Sequence, residues 1–184
     1  MSTARLHRPL AIASLVYAAA LWGLVWYPYR LLAEAGVGGI ASSFFSYAIP
    51  LLLVGWLHGR AVVAARARWA WLVAMGLAAG WTNLAYVLAV LEGEVVRVLL
   101  LFYLSPLWTV LFAGLLLRER LNRAGWAVMA LAAGGAVVML WQPGDWPLPA
   151  NRAEWLGLSA GLMFAASNVI SRHLEGVAEG AKSV

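Results

Sequence analysis

The chain is 184 residues long, 64% hydrophobic and only 11% charged, with a mean hydropathy of +0.81 and a net charge of +5 at pH 7. A soluble domain carries about 25% charged residues, so a compact water-soluble core is excluded and lipid is the solvent this composition calls for. There is no cysteine, which removes disulfides and thiolate metal sites, and the cations fall in short loops, where they orient a chain in a membrane rather than mark a nucleic-acid partner.

Six apolar runs follow one another, over residues 10–32, 39–57, 69–91, 95–117, 124–141 and 155–171. Each approaches the ~20 residues a helix needs to cross ~30 Å of hydrocarbon. Backbone in lipid must satisfy its own hydrogen bonds, so each run is read as a helix. The fold class is therefore all-α, a polytopic bundle of six transmembrane helices.

The first run is too long for a cleaved signal peptide, and no small-residue cleavage site follows it. It carries Trp22 and Trp26, four apart and so one above the other on a single face. The second run has a polar strip, Ser42, Ser43, Ser46 and Tyr47, before Pro50. Such serines also bond back to carbonyls of their own helix. In the third run Asn83 and Tyr86 share a face near the centre, with Trp81 beside them; an unpaired amide at that depth is costly. Gly76 and Gly80 on the same general face predict close approach of a neighbouring helix.

The fourth run opens with Arg97, which has three readings. It pairs locally with Glu94, it snorkels outward, or it meets an anionic group at the mouth of a cavity, and the local pair is the favoured one. Pro106 must kink this run, because it cannot donate to its own helix and clashes with the carbonyl four residues back. Tyr103 and Ser105 lie beside the kink and are expected to absorb part of the freed carbonyl. The run closes with "RERL", where Glu119 and Arg123 are expected to form an exposed pair. The connector after the fifth run, "QPGDWPLPANRAEW", is stiff and non-helical. It ends on Asn151 and Glu154, at capping-box spacing, so the sixth helix is expected to begin there. Ser167 and Asn168 lie inside that last helix.

The cations set the orientation. Six crossings with a cytoplasmic N-terminus put Arg5, Arg8, Arg60, Arg66, Arg68, Arg118, Arg120, Arg123, Arg172 and Lys182 inside, and only Arg30, Arg97 and Arg152 outside. Both termini are then cytoplasmic, and the chain belongs in the inner (plasma) membrane. Interfacial tryptophans agree: Trp56, Trp69 and Trp126 at inner ends, Trp141, Trp146 and Trp155 at outer ends.

Several functions lack their residues. Glu34, Glu92, Glu94, Glu119, Asp145 and Glu154 all sit at helix ends or in turns, so no carboxylate at mid-depth is available as a proton carrier. His7, His58 and His173 are too scattered for a metal site or a relay. There is no catalytic set at depth and no phosphate-binding glycine loop with lysine. The chain is read as neither an enzyme nor a nucleotide-driven pump, with no metal and no cofactor.

The stretch "YLSPLWTVLFAGLLLRERLNRAGWAVMALAAGGAVVML" resembles the fourth and fifth helices of the drug/metabolite transporter superfamily, in its EamA-type families. The matching features are Pro106, Glu119, the Arg120–Arg123 turn, Gly125 and Gly134-Gly135. The stretch "ALWGLVWYPYRLL", with Trp22-Gly23, is similar to the family's first helix. The resemblance implies ten helices in two inverted five-helix repeats around a cavity. Residues 1–141 then form the first repeat, and residues 142–184 an outer loop plus the first helix of an incomplete second one. Setting "WGLVWYPYRLL" against "FAASNVISRHL" brings Arg30 onto Arg172 and Leu32 onto Leu174, and the two segments would cross the membrane in opposite directions, as an inverted repeat requires. Helices seven to ten would be missing, so the chain is a fragment or pairs with a second copy. The even helix count does not suit oppositely inserted halves and favours a fragment.

The resemblance implies an exporter of a small metabolite, an amino acid or a related compound, working by alternating access. The alternative is a truncated or accessory membrane protein that transports nothing. Candidate substrate-binding residues are Trp22, Trp26, Ser46, Tyr47, Trp81, Asn83, Tyr86, Arg97, Tyr103 and Asn168. The expected partners are the bilayer, the small-molecule substrate, and a second copy or the missing repeat.

Overall fold

The computed structural model describes residues 3–64, 66–141, 147–175 and 182, without the side chains of residues 3–11, 54 and 58–64. Asp145 and Trp146 lie outside the described residues, as do the side chains of Arg5, His7, Arg8, His58 and Arg60. Among the described residues there is no strand. Eight α-helices follow in order: α1 (Thr3–Leu24), α2 (Trp26–Glu34), α3 (Gly39–Ala64), α4 (Trp69–Glu92), α5 (Val95–Phe102), α6 (Ser105–Phe112), α7 (Arg123–Leu140) and α8 (Arg152–His173). They build six segments long and apolar enough to span a membrane, over Ile12–Glu34, Gly39–Leu57, Arg66–Glu92, Val95–Leu117, Arg123–Leu140 and Arg152–His173.

Two spans are broken, and each break has a proline just beyond it. The first span parts at Val25, and Pro28 falls in the first turn of α2. The fourth parts at Tyr103–Leu104, and Pro106 is the second residue of α6. A proline there costs the new helix nothing, because the carbonyl its N–H would have served belongs to the helix before the break. Beyond α6 the winding loosens to a π-turn over Ala113–Leu117, and Arg118 then adopts φ 58, which closes the span.

The carbonyl that Pro106 frees is that of Phe102, four residues back. Neither Tyr103 nor Ser105 bonds it. It lies instead against α8, where a Cβ built on Gly161 would come within 2.6 Å of it. A second glycine one turn earlier, Gly157, faces the backbone of Val98 in the same way. "GLSAG" is thus a small-xxx-small face that lets α8 lie on the backbone of α5.

The seam between α4 and α8 uses the same device. Ala78, Thr82, Ala85 and Ala89 recur at alternating spacings of four and three, and all are buried. Opposite them lie buried Ala153 and Ala160. Thr82 donates to Ala78 O at 2.8 Å and also reaches Ala160 O at 3.4 Å, across the seam. Gly76 and Gly80 were expected to carry close approach, but nothing comes within 4 Å of a Cβ at either. They lie about half a turn away from the alanine stripe, and Gly134 and Gly135 of α7 are equally open.

The spans are tied at both ends. At one end Arg152 meets Glu92 at 3.6 Å, and Arg30 donates to Val90 O at 3.3 Å while lying over the Trp26 ring. At the other, Glu119 takes Arg172 as a two-pronged partner rather than the expected Arg123, and Arg68 reaches His173 O at 3.5 Å. Asn122 caps α7 by accepting from Gly125 N at 2.7 Å.

Candidate functional site

Four spans each send one aromatic ring to a common point. Trp22 of the first span stacks on Tyr86 of α4, with centroids 6.2 Å apart and planes 16° from parallel. Tyr86 meets Phe102 of α5 edge-on at 5.4 Å, and Phe102 meets Phe164 of α8 at 5.4 Å. Offset and edge-to-face geometries of this kind are the favourable ones for π systems. The inner rings, Tyr86 and Phe102, are buried, whereas Trp22 is 37% exposed and forms the open edge of the column. Trp26 packs on the periphery of the same cluster.

One turn along α4 from Tyr86 is Asn83, 6% exposed. Its Oδ1 has no hydrogen-bond partner, and the same holds for the hydroxyl of buried Ser43 on α3. Buried polar atoms are normally paired. An acceptor left open beside an aromatic stack is suited to a flat or apolar solute that brings its own donor. No carboxylate, histidine or lysine is among the rings of this cluster, and what they offer a solute is ring faces, the Tyr86 phenol and the Asn83 amide.

The candidates from the sequence divide accordingly. Trp22, Trp26, Asn83 and Tyr86 lie together, and Tyr103 adjoins them through Phe102, 6.0 Å away, although its own ring is 57% exposed. Trp81 is exposed and its indole N–H donates to Ser159 Oγ at 3.2 Å. Ser46 and Tyr47 are exposed on α3, away from the column. Asn168 is exposed and donates to Phe164 O of its own helix at 2.9 Å.

Arg97 is held at one end of the bundle, not at its centre. Its bidentate partner is Glu154, 57 residues on, and not Glu94 three residues back. Arg97 Nε donates to Oε1 at 2.9 Å and Nη2 to Oε2 at 3.1 Å. Arg97 Nη1 donates to Leu140 O, the last residue of α7, at 3.3 Å. Glu154 also accepts from Ala150 N at 3.0 Å and from Asn151 Nδ2 at 2.9 Å. Asn151 caps α8 as expected, accepting from Glu154 N at 3.0 Å, but the Glu154 carboxylate is spent on Arg97 and on the backbone before the cap. The pair thus joins the ends of α5, α7 and α8, and both side chains are buried.

Phe102, Phe164 and Glu154 are the members sequence reading missed. Each carried a signal of another kind: Phe102 is the residue whose carbonyl Pro106 must release, Phe164 is set against Trp22 in the repeat alignment, and Glu154 stands at capping-box spacing from Asn151. An open, apolar cleft of about 300 Å³ lies elsewhere, between α6 and α7, and none of the candidates lines it.

Comparison with known proteins adds an independent line. The profile of the EamA-like transporter family matches residues 9–141. A protein of Pseudomonas aeruginosa, named only as an uncharacterized transporter, is 30% identical over 181 residues, covering 94% of this chain and 57% of that relative. The chain therefore spans little more than half the length of the relative it matches. No solved structure matches.

Proposed function

Since the chain belongs to the EamA-like transporter family, we propose that it supplies the first five-span repeat, and the first span of the second, of a transporter that exports a small metabolite by alternating access. The observation that carries the site is the open Asn83 acceptor beside the Trp22–Tyr86 stack. The solute class that fits is small and partly apolar, with a hydrogen-bond donor; an amino acid or a related compound meets it. Binding by ring faces and one amide tolerates several solutes, because every flat solute has a π face while the amide fixes only one atom. In this reading the Glu119 end is cytoplasmic, where the arginine-rich turns lie, and Arg97 with Glu154 closes the outer end. The family assignment and the convergence of rings from four spans support binding and passage.

The test is uptake and efflux of a panel of labelled amino acids in vesicles carrying the full chain, compared with Trp22→Ala and Asn83→Ala. Loss of one buried hydrogen bond predicts about a tenfold fall in apparent affinity for Asn83→Ala. Trp22→Ala is expected to impair transport as well, and both variants should insert in the membrane as well as the parent. Parental transport by both variants would remove the site from this column.

A further inference from the structure

The turn between the fourth and fifth spans holds Arg118, Arg120 and Arg123, all exposed. None of the three is in an ion pair among the described residues, and Glu119 in their midst is already bound to Arg172. The turn joins α6 to α7, and these helices splay apart from it to leave the 300 Å³ cleft. Leu107, Val110 and Leu111 form one wall; Met129 and Ala133 form the other, with Trp126 nearest the turn.

We propose that this cleft binds an anionic phospholipid, with one acyl chain between α6 and α7 and the phosphate on the arginines of the turn. Three observations favour that occupant. The walls are apolar apart from the indole N–H of Trp126, so nothing inside would orient a polar solute. From Trp126 to Ala133 the cleft reaches about 10 Å along the helix axis, which stays within one ~15 Å leaflet of a ~30 Å core. Unpaired cations lie at the same end as Trp126, which is 56% exposed and of a residue type that settles at headgroup level. Basic groups at the mouth of an apolar gap between helices are the expected receptor for an acidic headgroup. Each arginine near such a headgroup is worth about a fivefold gain in binding.

The full chain, purified in detergent, is incubated with equal amounts of phosphatidylglycerol and phosphatidylcholine of identical chains, and retained lipid is counted by native mass spectrometry. Phosphatidylglycerol should be retained at least about 25-fold over phosphatidylcholine. Arg120→Gln with Arg123→Gln should lower phosphatidylglycerol retention by about 25-fold and leave phosphatidylcholine unchanged. Ala133→Phe, which fills the cleft, should lower both, and soluble glycerol phosphate should displace neither. The arginine variants sit on the surface, and circular dichroism verifies that they keep their helices, so they decide the matter even where Ala133→Phe misfolds. Equal retention of the two lipids by the parent chain would overturn the proposal and indicate a protein helix, or acyl chains alone, in the cleft. Retention of phosphatidylglycerol that the arginine variants do not alter, or its displacement by glycerol phosphate, would overturn it equally.

Discussion

Arg97 and Glu154 are each more than nine-tenths buried, and that burial decides what their removal costs. Two charges withdrawn from water regain little more than they lost, so the pair adds little net stability beyond what apolar residues of similar size would supply. Breaking it is different, because the remaining charge is left without its counter-ion. Arg97→Leu and Glu154→Leu are each expected to lower unfolding free energy by about 3–5 kcal/mol, with the double Leu variant recovering most of that loss. Equilibrium unfolding in detergent measures all three; a double variant as unstable as the two losses added together would show that the charges do not depend on one another. Sequence spacing favoured Glu94 as the partner because it lies three residues away on one helix. Glu154 is brought there only by the packing of α8 on α5, which no local pattern encodes. The capping-box spacing of Asn151 and Glu154 did place the start of α8, where Asn151 accepts from Glu154 N, while the Glu154 carboxylate accepts from Arg97 and from Ala150 N.

Among elements, the informative pairing is Pro106 with Gly161. The proline frees the Phe102 carbonyl, and the glycine leaves room for it. Gly161→Ala places a methyl group against backbone, which cannot yield as a side chain tip does, and is expected to cost about 1–3 kcal/mol. In a Pro106→Ala background the restored N–H draws the Phe102 carbonyl back into its own helix. The same Gly161→Ala change should then cost less, with a coupling of about 0.5–3 kcal/mol. A double-mutant cycle in the same unfolding assay reads this coupling, and purely additive losses would mean that the two residues act separately. The spans themselves were legible, because long apolar runs in lipid have one solution. The break at Pro106 was legible too, and Pro28 offered the same signal in the first span. The partner face was not: the glycines at 76 and 80 looked suited to close approach and meet nothing, while the seam that forms is built mainly from alanines, whose small size is common to every face of these helices.

At the scale of the molecule the packing is uneven. Only 6% of the first and of the fifth span is buried within the chain, against 44% of the third and 39% of the sixth. The third, fourth and sixth spans therefore form the packed centre, and the outlying spans present apolar surface to lipid or to further helices. Composition and the lengths of the apolar runs specified the number of spans, but not which of them would be central, since a span buried in protein and one facing lipid are both apolar. Their ends carry the remaining sequence information. Arg68, Glu119 and Arg172 gather at one end, and Glu92, Arg97 and Arg152 at the other, as alternate crossings demand. The first end receives most of the arginines and is the end that the proposed orientation assigns to the cytoplasm. The chain has no cysteine, so single introduced cysteines report without background. Leu148, exposed before α8, and Ala67, exposed before α4, lie at opposite ends. On intact cells a membrane-impermeant maleimide should label Leu148→Cys, and label Ala67→Cys only after permeabilisation. The reverse pattern would invert the molecule, placing ten of its thirteen cations on the outer face, and would move the arginine turn and its lipid to the opposite leaflet.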